Sequence, residues 1–232
     1  MMKISKLVAV FLSLAILGGC AGVTSNVYSN PSASVAPMKP KLIFVPADVE
    51  INIRNAGGDL ELSAELSEQV STAYNAAAMN LMFERGVQFI PYGTRGLKDE
   101  HVDVVREANT IMDSIQLSQS ASGGIGSSRN FSLSEAARAE FREYGADYVT
   151  FSVLRAATAS GGRTAVAVFA AIGGVAVQTS DAQYRVAIFD VRDGQCIWAN
   201  FDPLALPDGN WIDADEEGWA EIIDKMYSGF SL

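Results

Sequence analysis

The chain has 232 residues, 49% of them hydrophobic, with only two cysteines and one histidine. Seventeen Lys+Arg against 27 Asp+Glu give a formal net charge of −10, which argues against binding nucleic acid or anionic headgroups, because both need clustered cations. The length suits one sizeable domain or two small ones, with core enough to do without disulfides.

The first element is a leader. Lys3 and Lys6 precede an apolar run, Leu7 to Leu17, broken only by Ser13. Eleven helical residues rise about 16 Å, roughly half a hydrocarbon core, so this stretch is too short for a permanent span and reads as a secretory signal over residues 1–19. Its end, Leu17-Gly18-Gly19-Cys20, resembles the bacterial lipobox, in which the cysteine is lipidated and becomes the mature amino terminus. The resemblance implies a diacylglyceryl thioether plus an amide-linked acyl chain on Cys20, and multiple chains make a stable anchor. Within that resemblance, Ala21 in place of Asp implies passage to the outer membrane; the body is expected to face the periplasm, with exposure at the outer surface as the alternative. Losing the leader, which holds two basic residues and no acid, takes the net charge from −10 to −12. Cys196 then has no thiol partner within the chain, and is either buried in a strand or free.

Ala21 to Pro40, rich in Ser, Asn, Ala and Pro, has no amphipathic period and reads as a flexible tether that reaches at most about 70 Å. A single α/β domain is expected over residues 41–232. Leu42 to Val45 has the continuous apolar character of a strand buried on both faces, and Pro46 ends it. Val49, Ile51 and Ile53 alternate with polar residues, as in a half-exposed strand. From Leu62 to Arg85, Leu66, Val70, Ala73, Tyr74, Ala77 and Leu81 share one helical face, and Gly86 stops the helix. Val87 to Ile90 forms the next strand.

A second helix is expected from about Asp99 to Leu117, with Val104, Ala108, Ile111 and Ile115 inward, followed by a loop, "SQSASGGIGSS". Ser132-x-x-Glu135 reads as a capping box opening a third helix that Gly145 ends. Tyr148 to Ala156 is a strand, and "YRVAIFDVRDGQCIWAN" is a β-hairpin around Asp193-Gly194. Asp213-x-x-Glu216 opens a final helix with Trp219, Ile222, Ile223, Met226 and Phe230 in one stripe. The mixed order predicts an α/β (α+β) sandwich of two or three layers around a mixed sheet, with a C-terminal hairpin and packed helices.

Between Arg163 and Asp181 lie 17 uncharged residues interrupted by Gly173-Gly174. Apolar residues on both parities exclude the polar-in, apolar-out alternation of a barrel hairpin. The segment reads as buried, or covered by a partner, with a membrane or oligomer-interface role as the alternative. Its Val166, Val168, Phe169, Ile172, Val175 and Val177, with Trp211 of the nearby 204–211 loop, are the candidate interaction surface.

"GADYVTFSVLRAATASGGR" followed by "VAIFDVRDGQCIWAN" resembles the strand–insert–hairpin core of the curli-secretion-channel-like lipoproteins, shared with the penicillin-binding-protein activator lipoproteins and the amino-terminal domain of TolB. Gly145, Ala146, Asp147, Tyr148, Asp190, Gly194 and Trp198 carry it, and "PADVEINIRNAGGDLE" resembles the start of Gram-negative lipoproteins with the same body. The resemblance covers roughly residues 41 to 230 and implies fold and location. Because the insert is short and does not alternate, it does not imply a pore.

No catalytic constellation stands out. His101 neighbours Glu100 and Asp103 on a helix, and one His with one free Cys cannot make a usual zinc site. "GGIGSS" lacks the following Lys-Ser/Thr of a phosphate loop. Asp190/Asp193 frame a turn, and Glu216/Glu217 suit a helix's first turn. The expectation is a non-enzymatic, lipid-anchored envelope component with no cofactor beyond its covalent lipid. Its partners would be the membrane and an envelope protein or further copies of itself. A subunit or accessory of an oligomeric secretion channel, or an unrecognised periplasmic enzyme, are the alternatives.

Overall fold

The computed structural model describes residues 27–30, 39–92, 99–122, 131–162, 170, 181–201 and 211–230. Eight strands form one mixed sheet: β1 (Val27–Ser29), β2 (Lys41–Phe44), β3 (Asp48–Arg54), β4 (Leu60–Leu62), β5 (Gln88–Pro91), β6 (Tyr148–Ala159), β7 (Asp181–Asp190) and β8 (Cys196–Asn200). The described α-helices are α1 (Ala64–Glu84), α2 (Asp99–Ser122), α3 (Glu135–Arg142) and α4 (Glu216–Met226). None is long and apolar enough to cross a membrane.

The spine is β6. Along one side runs antiparallel β7, which continues into β8 and then β1. The other side is shared by two parallel strands end to end: β2 opposite Tyr148–Thr150, then β3 opposite Val153–Ala159. Pro46 sits at the junction, where it has no N–H to offer a ladder. The adjacent Ala47 N–H donates instead to Asn75 Oδ1 of α1 at 3.0 Å, and Ser71 Oγ donates to the Ala47 carbonyl at 3.3 Å. Beyond β2 lies parallel β5, and beyond β3 lies antiparallel β4.

Alternation along the strands divides the core in two. Leu42 and Phe44 pack with Val70, Tyr74 and Met82 of α1 and with Trp219, Ile223 and Met226 of α4. Ile43 and Val45 face the other way, toward Val104, Ala108, Met112 and Ile115 of α2 and Ala137 and Phe141 of α3. The fold is therefore a three-layer α/β/α sandwich, with the continuous apolar run 42–45 buried on both faces as its sequence requires.

Several local expectations shift. Val27–Ser29, placed by sequence in the flexible tether, pairs antiparallel with β8, and Asn30 N–H donates to the Ile197 carbonyl at 2.9 Å. Leu62 belongs to strand β4 rather than to the first helix, whose N-cap is Ser63. The second helix runs to Ser122, five residues into the expected loop. Ser132 does not cap α3. It bridges to Gln195, and the Leu133 N–H donates to the Gly194 carbonyl, so the chain stays extended for two more residues and Ser134 makes the cap. Asp213 likewise closes a 3₁₀ turn (Trp211–Asp213), and Asp215 caps α4 through the Gly218 N–H at 2.9 Å. Gly86 and Gly145 follow their helices with φ +78° and +65°, as expected of helix ends.

Candidate functional site

Of the residues singled out by sequence, Cys20, Val166, Val168, Phe169, Ile172, Val175 and Val177 lie outside the described residues, as does "GGIGSS". Trp211 is described: it is 7% exposed and meets Trp219 edge-on, ring centroids 6.1 Å apart. It closes the core beside α4, and a partner could touch little of it. Cys196 is fully buried in β8, with Sγ 3.5 Å from the Trp198 carbonyl. Burial pushes its thiol pKa up, opposite to what a nucleophile needs. His101 falls within α2.

The acidic pairs serve structure. Asp190, 2% exposed, accepts from the Arg192 N–H at 2.8 Å and from Arg192 Nε at 2.9 Å, while Asp193 accepts from the Gln195 N–H at 2.9 Å. Glu216 and Glu217 occupy the first turn of α4. Among the described residues, no group of three or more His, Cys, Asp or Glu could hold a metal ion.

Where β3, β6, β7 and α2 meet, charges are matched. Arg155 contacts Asp48 at 2.6 Å and Glu50 at 2.9 Å, and Arg185 pairs with Asp113. Partial burial lowers the Arg185 pKa and the nearby Asp48 opposes that shift. The cluster ties helix to sheet.

Among the described residues, a groove of about 400 Å³ lies between α1 and α4. Ala73, Ala76 and Ala77 of α1 and Trp219 and Ala220 of α4 line it, together with the carboxylates Glu84, Asp215 and Glu216. Small side chains at helical spacing let the two helices leave a trough rather than fill it. Met79 and Phe83 lie on the shoulder of α1 beside Ala76, 39% and 76% exposed. The residue "AYNAAAMN" signal for this trough is in the sequence, but its partner surface comes from a helix more than 130 residues away.

No protein-family model matches the chain, and no curated protein matches it. Among solved structures it is similar to a PelC dodecamer from Paraburkholderia phytofirmans, at 12% identity, covering 88% of this chain and 94% of that one, with a TM-score of 0.37. It is also similar to the LpoB C-terminal domain from Salmonella enterica, at 13% identity, covering 82% and 90%, with a TM-score of 0.28. Both likenesses are loose, and no residue role is drawn from them.

Proposed function

We propose that the chain is a lipid-anchored, non-enzymatic component of the bacterial outer membrane that faces the periplasm and holds a partner protein in the α1–α4 groove. The lipobox-like Leu17-Gly18-Gly19-Cys20 supports the anchor. The observation that carries the binding role is the groove itself: alanines and carboxylates line it, with Met79 and Phe83 exposed alongside. Such a trough suits a helix with an apolar face and flanking Lys or Arg, because the alanines reward apolar contact and the carboxylates reward cations.

The test is crosslinking in cells producing the full chain, with a photoreactive side chain at Asn80 in the groove and another at Asp193 at a distant turn. The expected result is a discrete adduct from position 80 alone, lost in Ala76→Arg, whose captured peptide is apolar with basic flanks. An adduct of twice the chain's mass would replace the partner by a second copy. Absence of an adduct, or equal adducts from both positions, overturns the groove assignment. Uptake of radiolabelled palmitate by the wild type and not by Cys20→Ser tests the anchor separately.

A further inference from the structure

The register of β1 fixes where the anchor leaves the domain. Val27 pairs with Asn200, Asn200 with Val186, and Val186 with Ser152, so Val27 lies level with Ser152 of β6. Because β1 is antiparallel to β8, the chain preceding Val27 leaves toward the end of the sheet where β6 finishes and β7 begins. Seven residue steps along β6, from Ser152 to Ala159, separate that level from the sheet's end, roughly 23 Å at strand spacing. Seven steps also lead from Cys20 to Val27, and fully extended they reach at most about 25 Å. The tether therefore has almost no slack beyond the end of the sheet.

Of the described residues, several gather at that end. β3 finishes and β4 begins there, with Arg54 paired to Ala159 and Leu60 paired to Arg54. Arg54 and Asp181 neutralise each other at 2.8 Å. Leu60 and Leu62, two residues apart on edge strand β4, are 53% and 61% exposed. Leucines on an exposed edge strand invite pairing or aggregation unless something covers them.

We infer that this end of the sheet, with Leu60 and Leu62 foremost, rests on the lipid surface to which Cys20 is tethered. The inference rests on the anchor proposed above. The ion-paired end and the acidic chain suit a zwitterionic phospholipid interface, since an anionic one would repel Asp59 and Glu61. The domain then stands upright, with the opposite end of the sheet, where Tyr148 begins β6, about 36 Å further from the bilayer. Phe83 belongs to that far end, because the Met82 carbonyl accepts from Val87, one residue before β5 begins beside Lys41.

The experiment uses the full, lipidated chain in phosphatidylcholine vesicles with or without brominated acyl chains. Single cysteines replace Leu62, Phe83 or Ser29, all exposed positions, and carry an environment-sensitive fluorophore; buried Cys196 stays unlabelled. The expected result is that the Leu62→Cys label loses most of its emission to brominated lipid while the Phe83→Cys and Ser29→Cys labels keep theirs. Stronger quenching at position 29 would overturn the upright pose in favour of one lying on the β1 edge, and equal or no quenching would overturn it outright. Flotation and palmitate uptake score the anchor independently. A chain that floats without quenching at 62 defeats only this inference, whereas one that neither floats nor takes up palmitate defeats the anchor as well.

Discussion

The hydroxyls of Tyr74 on α1 and Tyr227 just past α4 lie 3.2 Å apart inside the core, and Tyr74 also donates to Ser152 Oγ of β6 at 2.7 Å. All three side chains are buried, so each hydroxyl depends on the others for its hydrogen bonds. Two helices and the central strand are thereby joined at one polar point beneath the groove.

Replacing Tyr74 by Phe leaves Ser152 Oγ and the Tyr227 hydroxyl only their long 3.4 Å contact with each other in an apolar layer. We expect Tyr74→Phe to cost about 1–3 kcal/mol of unfolding free energy. Tyr227→Phe, which breaks the longer 3.2 and 3.4 Å contacts and leaves the Tyr74–Ser152 bond intact, should cost less. Urea denaturation of both variants and the double variant measures this. Strictly additive losses would show that the hydroxyls do not act as a unit.

At the Asp193-Gly194 turn, Gly194 has φ +78°, and a Cβ there would lie 2.7 Å from both the Leu133 carbonyl oxygen and Arg138 Cδ. Gly145 also has a positive φ, +65°, but nothing stands within 4 Å of its Cβ position. Both alanine variants bear the left-handed backbone cost of about 1–2 kcal/mol, and Gly194→Ala must also push the α3 entry away from the hairpin. We expect Gly194→Ala to lower the thermal midpoint clearly more than Gly145→Ala does. Equal shifts would mean the close approach is relieved without strain.

These comparisons also show what kind of information a sequence displays. β6, the β7–β8 hairpin and strand β2 were legible because their signal is local: apolar runs bounded by Gly, Pro or Asp-Gly. The α1 stripe was legible too, since Val70, Tyr74 and Ala77 recur at helical spacing and are buried. The caps of α3 and α4 shifted by two residues because Ser132 and Trp211 are held by contacts with Gln195 and Trp219, distant or out of register with any capping pattern. β1 was not legible at all. Three residues in a Ser- and Asn-rich stretch carry no period, and their partner strand lies about 170 positions away. The groove needs two helices brought together by the sheet, so neither helix alone announces it.

Strand β1 is held by its ladder to β8 and by Tyr28, whose ring meets Phe131 edge-on at 5.9 Å. Partial burial of that ring raises the Tyr28 pKa. Tyr28→Ala removes the contact and should release the strand while leaving the rest of the sheet paired. Hydrogen exchange of the amides at 27–30 should accelerate toward unfolded rates, with β6 and β7 amides unchanged. Protection that persists at 27–30 would show that the backbone ladder alone suffices.

Cys196 makes the stability of the fold depend on alkaline pH. Its thiol is fully buried, and desolvation holds its folded-state pKa well above the value of about 8.5 that an unfolded cysteine has. Below the unfolded value both states carry the proton and the group contributes no pH dependence. As pH rises past it, the unfolded chain ionises and the folded one does not, so stability falls at up to about 1.4 kcal/mol per pH unit from this group. Tyr74, also buried with a raised pKa, adds a second loss that begins near the ordinary tyrosine value of about 10. The urea midpoint should therefore be flat from pH 7 to 8, fall between pH 8.5 and 9.5, and fall more steeply above 10. In Cys196→Ala the first decline should vanish and the second remain. A native thiol that reacts with a disulfide reagent as fast as one in urea, or an alanine variant with the same first decline, would place Cys196 outside the sealed core.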